Sequence, residues 1–342
     1  MSRIVSGIQP TGSKHLGNFI GAITRYVALQ DSAAAGEALY FIADLHATTV
    51  PYAPADLRRG LYDLAALLLA SGLDPDHALL FRQSDVPEHA ELQWLLTGVT
   101  SYGELGRMTQ FKDKSAKQEF VSAGLFTYPV LMAADVLVYR ARRVPVGDDQ
   151  TQHVELMRNL AERFNARFGP QLVVPEGVYP EVGARIMDLQ EPTRKMSTTG
   201  GSPQGTVLVL DEPAVILKKF RSAVTDSGRE IHHDRAVKPG VSNLLEIYAA
   251  VRGITIAEAE AAFADARGYG DLKTGVGEAV VAYLAPVRER YESLRADEAE
   301  LEAVLADGAR RARELAGEVM ADVRAAMGVG PLHARAPGAP AA

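Results

Sequence analysis

Two loops and one carboxylate carry the residue types that could do chemistry in this chain. Residues 7–18 read GIQPTGSKHLGN, a glycine-rich turn between a short β-branched segment (3–8) and a helical pattern. Gly-x-x-x-x-Gly occurs twice, at Gly7/Gly12 and Gly12/Gly17, but neither is completed by Gly-Lys-Ser/Thr. A Walker-type phosphate loop is therefore excluded, and G-x-G-x-x-G is absent too. What remains is a strand, a turn and a helix start, whose free N–H groups suit an anion. Gly17 lets a phosphate or a flat base approach the backbone, and His15 and Asn18 could donate to phosphate oxygens. An ordinary strand-to-helix turn with a surface histidine fits this segment equally well. The second loop, PTRKMSTTGGS at 192–202, sets Lys195 among small and flexible residues; alone it reads as a linker. The carboxylate is Asp135, inside the apolar run LMAADVLVY. A buried carboxylate without a partner is costly, so a ligand or another side chain must meet it.

The elements that must position these groups alternate. Residues 19–30 place Ile20, Ile23 and Val27 at helical spacing, and 38–44 read as a buried strand. Residues 56–72 put Leu57, Leu61, Leu64 and Leu68 on one stripe ended by Gly72; a short strand at 79–82 and a helix around 88–98 follow. Strands alternating with helices of this length imply an α/β fold, a parallel sheet covered on both faces. From about 205 to 327 the pattern is helical. Its clearest segment, 297–327, carries the stripe Leu301, Val304, Leu305, Ala312, Leu315, Val319 and Val323. It predicts an amphipathic helix packed on the protein.

The 342 residues are long enough for about two domains. With 47% hydrophobic and 23% charged residues the composition is that of a globular chain. The chain has no cysteine, which removes disulfides, thiolate metal sites and a cysteine nucleophile together. Neither a signal peptide nor an apolar run long enough to span a membrane is evident, and a cytoplasmic setting is expected. A net charge of −7 excludes a general nucleic-acid coat; RNA would need a local patch, such as Arg140, Arg142 and Arg143, or Lys218, Lys219 and Arg221.

Taken together, PTGSKHLGN at 10–18 and KMSTT at 195–199 resemble the two nucleotide-binding motifs of class I aminoacyl-tRNA synthetases, in the right order and separation. YGELGRMTQFKDKSAKQ at 102–118, SAGLFTYPVLMAADVLVY at 122–139, VPVGDDQTQHVEL at 144–156, GARIM at 183–187, AVTDS at 223–227 and KPGVSNLL at 238–245 are similar to the bacterial tryptophanyl-tRNA synthetases. The resemblance runs from about residue 3 to about 328. It implies a homodimer with a Rossmann-like catalytic domain (1–192, including a dimer-forming insertion around 85–130) and a mobile KMSTT loop (193–204). A helical anticodon-binding domain ending in the C-terminal helix (205–328) and a disordered tail (329–342) would follow. The implied substrates are L-tryptophan, ATP with Mg²⁺ brought by the nucleotide, and tRNA(Trp), with no DNA, no membrane and no dedicated metal site.

Carried over by motif position, Gln9, Pro10 and Thr11 line the ATP site, and His15, Gly17 and Asn18 meet it at the helix start. Gly147, Asp148 and Asp149 hold the ribose. Ile186 and Met196 flank the adenine. Lys195 neutralises the departing pyrophosphate, with Ser197, Thr198 and Thr199 beside it and Lys114 as a second phosphate lysine; Gln9, Lys114, Lys195 and Thr198 are the expected catalytic set. Asp135 accepts the indole N–H, Tyr128 and Gln150 hold the amino acid's polar end, and His46, Met132, Val144 and Val146 shape the pocket. In-line attack by a carboxylate on the α-phosphate needs no Ser/His/Asp arrangement; positioning and charge do the work. A site built around the indole N–H rejects analogues lacking it by about 10⁴–10⁵, so no editing domain is required.

The chain departs from the family at one point. The second motif is usually Lys-Met-Ser-Lys-Ser, and Thr198 and Thr199 stand for its last two residues. One cation is missing, a loss typically worth ~10²–10³ in rate; Arg194 or Lys114 could supply it. The nearest alternatives are a tyrosyl-tRNA synthetase, which shares both motifs, and a synthetase paralogue that binds amino acid or RNA without charging.

Overall fold

The computed structural model describes residues 3–116, 119–179, 186–198 and 200–330. Five parallel strands form its centre: β1 (Ile4–Ile8), β2 (Ala38–Ile42), β3 (Ala78–Arg82), β4 (Arg143–Pro145) and β5 (Glu176–Val178). Their order is β3-β2-β1-β4-β5, every pairing parallel. Alternation along the strands splits the core in two. Tyr40, Ile42 and Leu80 face one apolar layer, while Val5, Leu39, Phe41 and Phe81 face the other. Both faces are buried, which is why the strands read as continuous apolar runs.

The helices divide between these layers. On the first side lie α1 (Leu16–Asn18), a π-helical stretch Phe19–Ile23, α2 (Thr24–Gln30) and α4 (Pro54–Ala70). The short α3 (Asp44–Ala47) follows β2. The second layer is covered by α5 (Glu88–Thr97), α6 (Tyr102–Arg107), α8 (Ala123–Leu137) and α9 (Thr151–Phe168), with α7 (Thr109–Ser115) at its rim through Phe111. The expected helical segment forms α10 (Pro213–Arg221), α11 (Pro239–Arg252), α12 (Ile256–Ala262), α13 (Tyr269–Arg295) and α14 (Glu298–Met327). This is the Rossmann-like α/β architecture with an added helical part.

The last helix returns to the sheet. Ala309, Ala312, Ala316, Val319 and Val323 of α14 enter the second core layer. The small stripe lets the helix lie against the edge strand: a Cβ on Gly308 would meet the Leu80 carbonyl oxygen at 2.0 Å. Covering β3 in this way removes an exposed strand edge. Sequence order groups α14 with the helical segment, and its first turns do pack there through Leu301 and Leu305, whereas its later turns pack on β3 and α5. Of the expected stripe, Val304 and Leu315 are only partly buried.

Candidate active site

Strand order reverses between β1 and β4, and ligands of such sheets bind beyond the carboxyl ends of the strands at that point. The first glycine-rich loop leaves β1 there. His15 is 5% exposed and caps α1: its Nδ1 accepts from the Asn18 N–H at 3.2 Å, while Asn18 Oδ1 accepts from the His15 N–H at 3.4 Å. Both residues expected to donate to phosphate are thus also occupied in fixing the helix start. The loop is pinned from outside, Leu16 N–H donating to the Val207 carbonyl and Val209 N–H to the Lys14 carbonyl.

The second motif sits on a hairpin against this loop. Met187 bridges Lys195, and the Met196 N–H donates to the Ile186 carbonyl at 3.1 Å. Ile186 and Met196 are buried, and a Cβ on Gly17 would touch Ile186 at 3.4 Å. They form an apolar wall beside the helix start, as an adenine site requires. Lys195 and Thr198 are exposed. Asp188, 1% exposed, shapes the turn: its Oδ1 accepts from the Gln190 and Glu191 N–H groups. Gly205 must be glycine, because a Cβ there would lie 1.7 Å from that same oxygen. Asn243 of α11 clamps the hairpin through both the N–H and the carbonyl of Met187. Thr199 and the Asp148 side chain lie outside the described residues. A cleft of about 630 Å³ opens beside the first loop, lined by Thr11, Lys14, Tyr52, Asp56, Arg59 and Leu208. None of the residues expected around tryptophan lines it.

A second polar cluster gathers at the ends of β2 and β3. Asp135, on α8 and 1% exposed, has both oxygens engaged. Oδ2 meets His46 Nε2 at 2.7 Å; Oδ1 accepts from Gln83 Nε2 at 2.6 Å and meets His89 Nδ1 at 2.7 Å. His89 Nε2 in turn lies 2.7 Å from the Tyr139 hydroxyl. A carboxylate only accepts, so Nδ1 of His89 carries a proton toward Asp135. Burial alone would raise the Asp135 carboxyl; the facing His46 and the hydrogen bonds from His46 and His89 outweigh it, lowering it to about 2.

Tyr128 adjoins His46, their rings edge to face at 6.2 Å. Its hydroxyl lies 2.9 Å from His153 Nε2 and 3.2 Å from Gln110 Oε1. Burial, with Asp149 nearby, raises that hydroxyl to about 12. Lys114 stands over the same ring, 5.0 Å from its centroid, and burial lowers its ammonium against the opposing charge of Asp149. Gln150 donates to Asp149 at 2.5 Å. Met132 and Val146 are partly buried beside the second core layer, while Val144, 2% exposed, is within it. Val144 therefore packs among core side chains in β4.

The comparisons with known proteins decide what this pair of sites belongs to. A family model described as tRNA synthetases class I (W and Y) matches residues 1–285. The chain belongs to this family. The tryptophan--tRNA ligase of Corynebacterium efficiens is 53% identical over 325 residues, covering 94% of this chain and 93% of that protein. That of Mycobacterium leprae is 51% identical, covering 93% and 94%. Among solved structures, the tryptophanyl-tRNA synthetase of Mycoplasma pneumoniae superposes with a TM-score of 0.86 at 37% identity, over 96% of this chain and 98% of that one. The Campylobacter jejuni enzyme, crystallised with ADP and tryptophan, gives 0.83 at 34%, over 96% and 100%.

Within this synthetase, reasoning from sequence missed Gln83, His89 and Tyr139 around Asp135, and Gln110 and His153 around Tyr128. The need for a partner to Asp135 was visible; which histidine meets it was not, because His89 is 46 residues away. Of the basic clusters, Lys219 is 8% exposed and bound to Asp211 and the Thr206 carbonyl, which withdraws it from any RNA face. Arg140 is tied to Asp322.

Two histidines give the synthetase an acid limb. Burial first, then Lys195 and Lys14, lower His15 to about 4; burial first, then Lys114, lower His153 to about 4. Between the ordinary 6.5 and about 4 the unfolded chain takes up protons that these folded rings refuse. Stability is therefore expected to fall as pH drops through that window. Melting temperature against pH checks this, and His153→Gln should flatten the slope; an unchanged slope in that variant would remove His153 from the account.

Proposed function

We infer that the chain activates L-tryptophan with ATP and transfers the tryptophanyl group to the 3′ end of tRNA(Trp). The observation that carries this is the 53% identity to a tryptophan--tRNA ligase over more than nine-tenths of both chains. The Campylobacter jejuni relative, complexed with ADP and tryptophan, supports a nucleotide site and a tryptophan site. In the first step a carboxylate oxygen of tryptophan attacks the α-phosphorus of ATP, and the bond to the bridging oxygen breaks, releasing pyrophosphate. In the second, a ribose hydroxyl of the terminal adenosine loses its proton and attacks the carbonyl of the mixed anhydride, the acyl carbon–oxygen bond breaks, AMP leaves and the aminoacyl ester remains.

The site residues take the following parts. Gln9, Pro10, Thr11, Gly17 and Asn18 cradle the nucleotide, with the adenine between Ile186 and Met196 and the ribose on Gly147 to Asp149. Lys195 meets the leaving pyrophosphate. The indole N–H donates to Asp135 Oδ2: Oδ1 is already filled by Gln83 and His89, while Oδ2 holds only His46 and keeps a lone pair. Tyr128 and Gln150 flank the amino acid's polar end. Mg²⁺ travels on the ATP phosphates; no group of three or more His, Asp or Glu among the described residues is arranged to hold a metal. The helices after residue 205 read the anticodon arm. No described helix is long and apolar enough to cross a membrane, and the enzyme works in the cytoplasm.

The protein works as a homodimer through the segment around 85–130, in which Trp94, Tyr102 and Phe120 are 73%, 81% and 79% exposed. Aromatic residues left this open mark an association surface. Trp94→Glu with Tyr102→Glu is expected to halve the mass measured by light scattering. Because Trp94 is the only tryptophan, dilution of the native protein should also red-shift its emission. A variant that keeps the full mass would move the interface elsewhere.

Tryptophan-dependent ATP–pyrophosphate exchange, with tyrosine as control, tests the activity. Exchange with tryptophan alone is expected. Exchange with tyrosine alone would move the chain to the tyrosyl branch, and none with either, in a protein that binds tryptophan, would favour the non-charging paralogue.

A further inference from the structure

We propose that Lys14 is a catalytic residue of this chain, its ammonium meeting the pyrophosphate that leaves ATP and supplying the positive charge that position 198, a threonine, does not. The inference rests on the nucleotide-site reading above. When the bond to the bridging oxygen breaks, the electron pair leaves with pyrophosphate, and that charge needs fixed cations. Lys195 is one. Three other basic groups lie near enough in the fold to be considered.

Arg194 is turned to Glu191, 3.6 Å away, and is half exposed. Lys114 stands over Tyr128, at the amino-acid end. Lys14 is held in the first loop itself. Its Nζ donates to the Gln9 carbonyl at 2.9 Å and to the Thr11 carbonyl at 3.1 Å. An ammonium has three protons, so one N–H remains for a phosphate oxygen. Among the described residues Lys14 forms no ion pair with a carboxylate, although Asp56, Asp63 and Asp211 line the same cleft. Lys14 directly precedes His15, and the hairpin that carries Lys195 packs on the same helix start, where a Cβ on Gly17 would touch Ile186 at 3.4 Å. The loop that carries Lys14 also reaches the second motif: a methyl group built on Gly12 would lie 3.9 Å from Thr198 Oγ1. Partial burial lowers the Lys14 ammonium to about 8, while the side chain stays open to the cleft beside the loop. The backbone cannot drift away, because the Lys14 carbonyl accepts from Val209 N–H at 3.0 Å.

The test is a charge relocation. Lys14→Met, Thr198→Lys, the double variant and Lys195→Ala are assayed by tryptophan-dependent pyrophosphate exchange, with tryptophan affinity measured alongside. Lys14→Met is expected to lower kcat by about 10²–10³ with tryptophan affinity unchanged. Thr198→Lys in the Lys14→Met background should recover most of that loss, since a lysine at 198 again faces the pyrophosphate. Loss in Lys14→Met without recovery in the double variant would make Lys14 a brace for the loop and overturn the assignment. So would a loss under threefold, provided Lys195→Ala is impaired. If Lys195→Ala itself exchanges normally, the nucleotide-site reading fails first.

Discussion

Asp135→Asn is expected to lower kcat/KM for tryptophan in the exchange reaction by about 10²-fold, with KM for ATP nearly unchanged. The carboxylate is 1% exposed and three donors already fill most of its lone pairs. An asparagine turns an N–H toward one of those donors or toward the indole, and either leaves a buried N–H facing another N–H. The loss should be specific to substrates with an indole N–H. A tryptophan isostere with benzothiophene in place of indole lacks that proton, so the variant's preference for tryptophan over it should collapse toward unity. Equal losses for both amino acids would mean that Asp135 supports the pocket without touching the substrate. The carboxylate also carries a pH signature. Its folded value, about 2, lies below the ordinary 3.8. The stability it contributes is complete above the unfolded value and is lost as pH falls through the folded one. Wild-type protein should thus lose stability between about pH 4 and pH 2 through this group, and Asp135→Asn should lack that component.

Lys195→Ala is expected to reduce the exchange rate by about 10²–10³ while leaving the melting temperature within a degree or two of wild type. The side chain is exposed, and its charge reaches His15 across the nucleotide loop. Removing an exposed side chain from a hairpin held by backbone pairs costs little stability. The effect should fall on kcat, since the charge is needed most when pyrophosphate departs. A rise in KM for ATP at constant kcat would instead assign Lys195 to ground-state binding.

How much of this was legible beforehand varies by residue. The alternation of β-branched runs with helical stripes was sufficient for a parallel sheet covered on both faces, because strands buried on both sides must be apolar at every position. Leu61, Leu64 and Leu68 announced α4 in the same way, and all three are buried. The two loop motifs, with the runs around Asp135 and Gly147, were sufficient for the family, because loops that meet a nucleotide are constrained residue by residue. The sequence also showed that Thr198 leaves a charge to be supplied, and that Asp135 needs a partner.

Tertiary structure alone decided who supplies them. His46, Gln83 and His89 converge on Asp135 from separate segments of the chain. No local pattern marks such a convergence; each histidine by itself reads as an ordinary polar residue. Nothing in the sequence singles out Lys14, whose ammonium lies on the carbonyls of its own loop. The position of α14 was hidden for a related reason. Its amphipathic stripe requires that something be covered but does not say what, and only the approach of Gly308 to Leu80 identifies the edge of β3. Periodicity and motif spacing are properties of neighbours along the chain, so the sequence determines them alone. Pairing of buried charges and the covering of an open edge depend on which distant surfaces fit together, and that is settled only by packing.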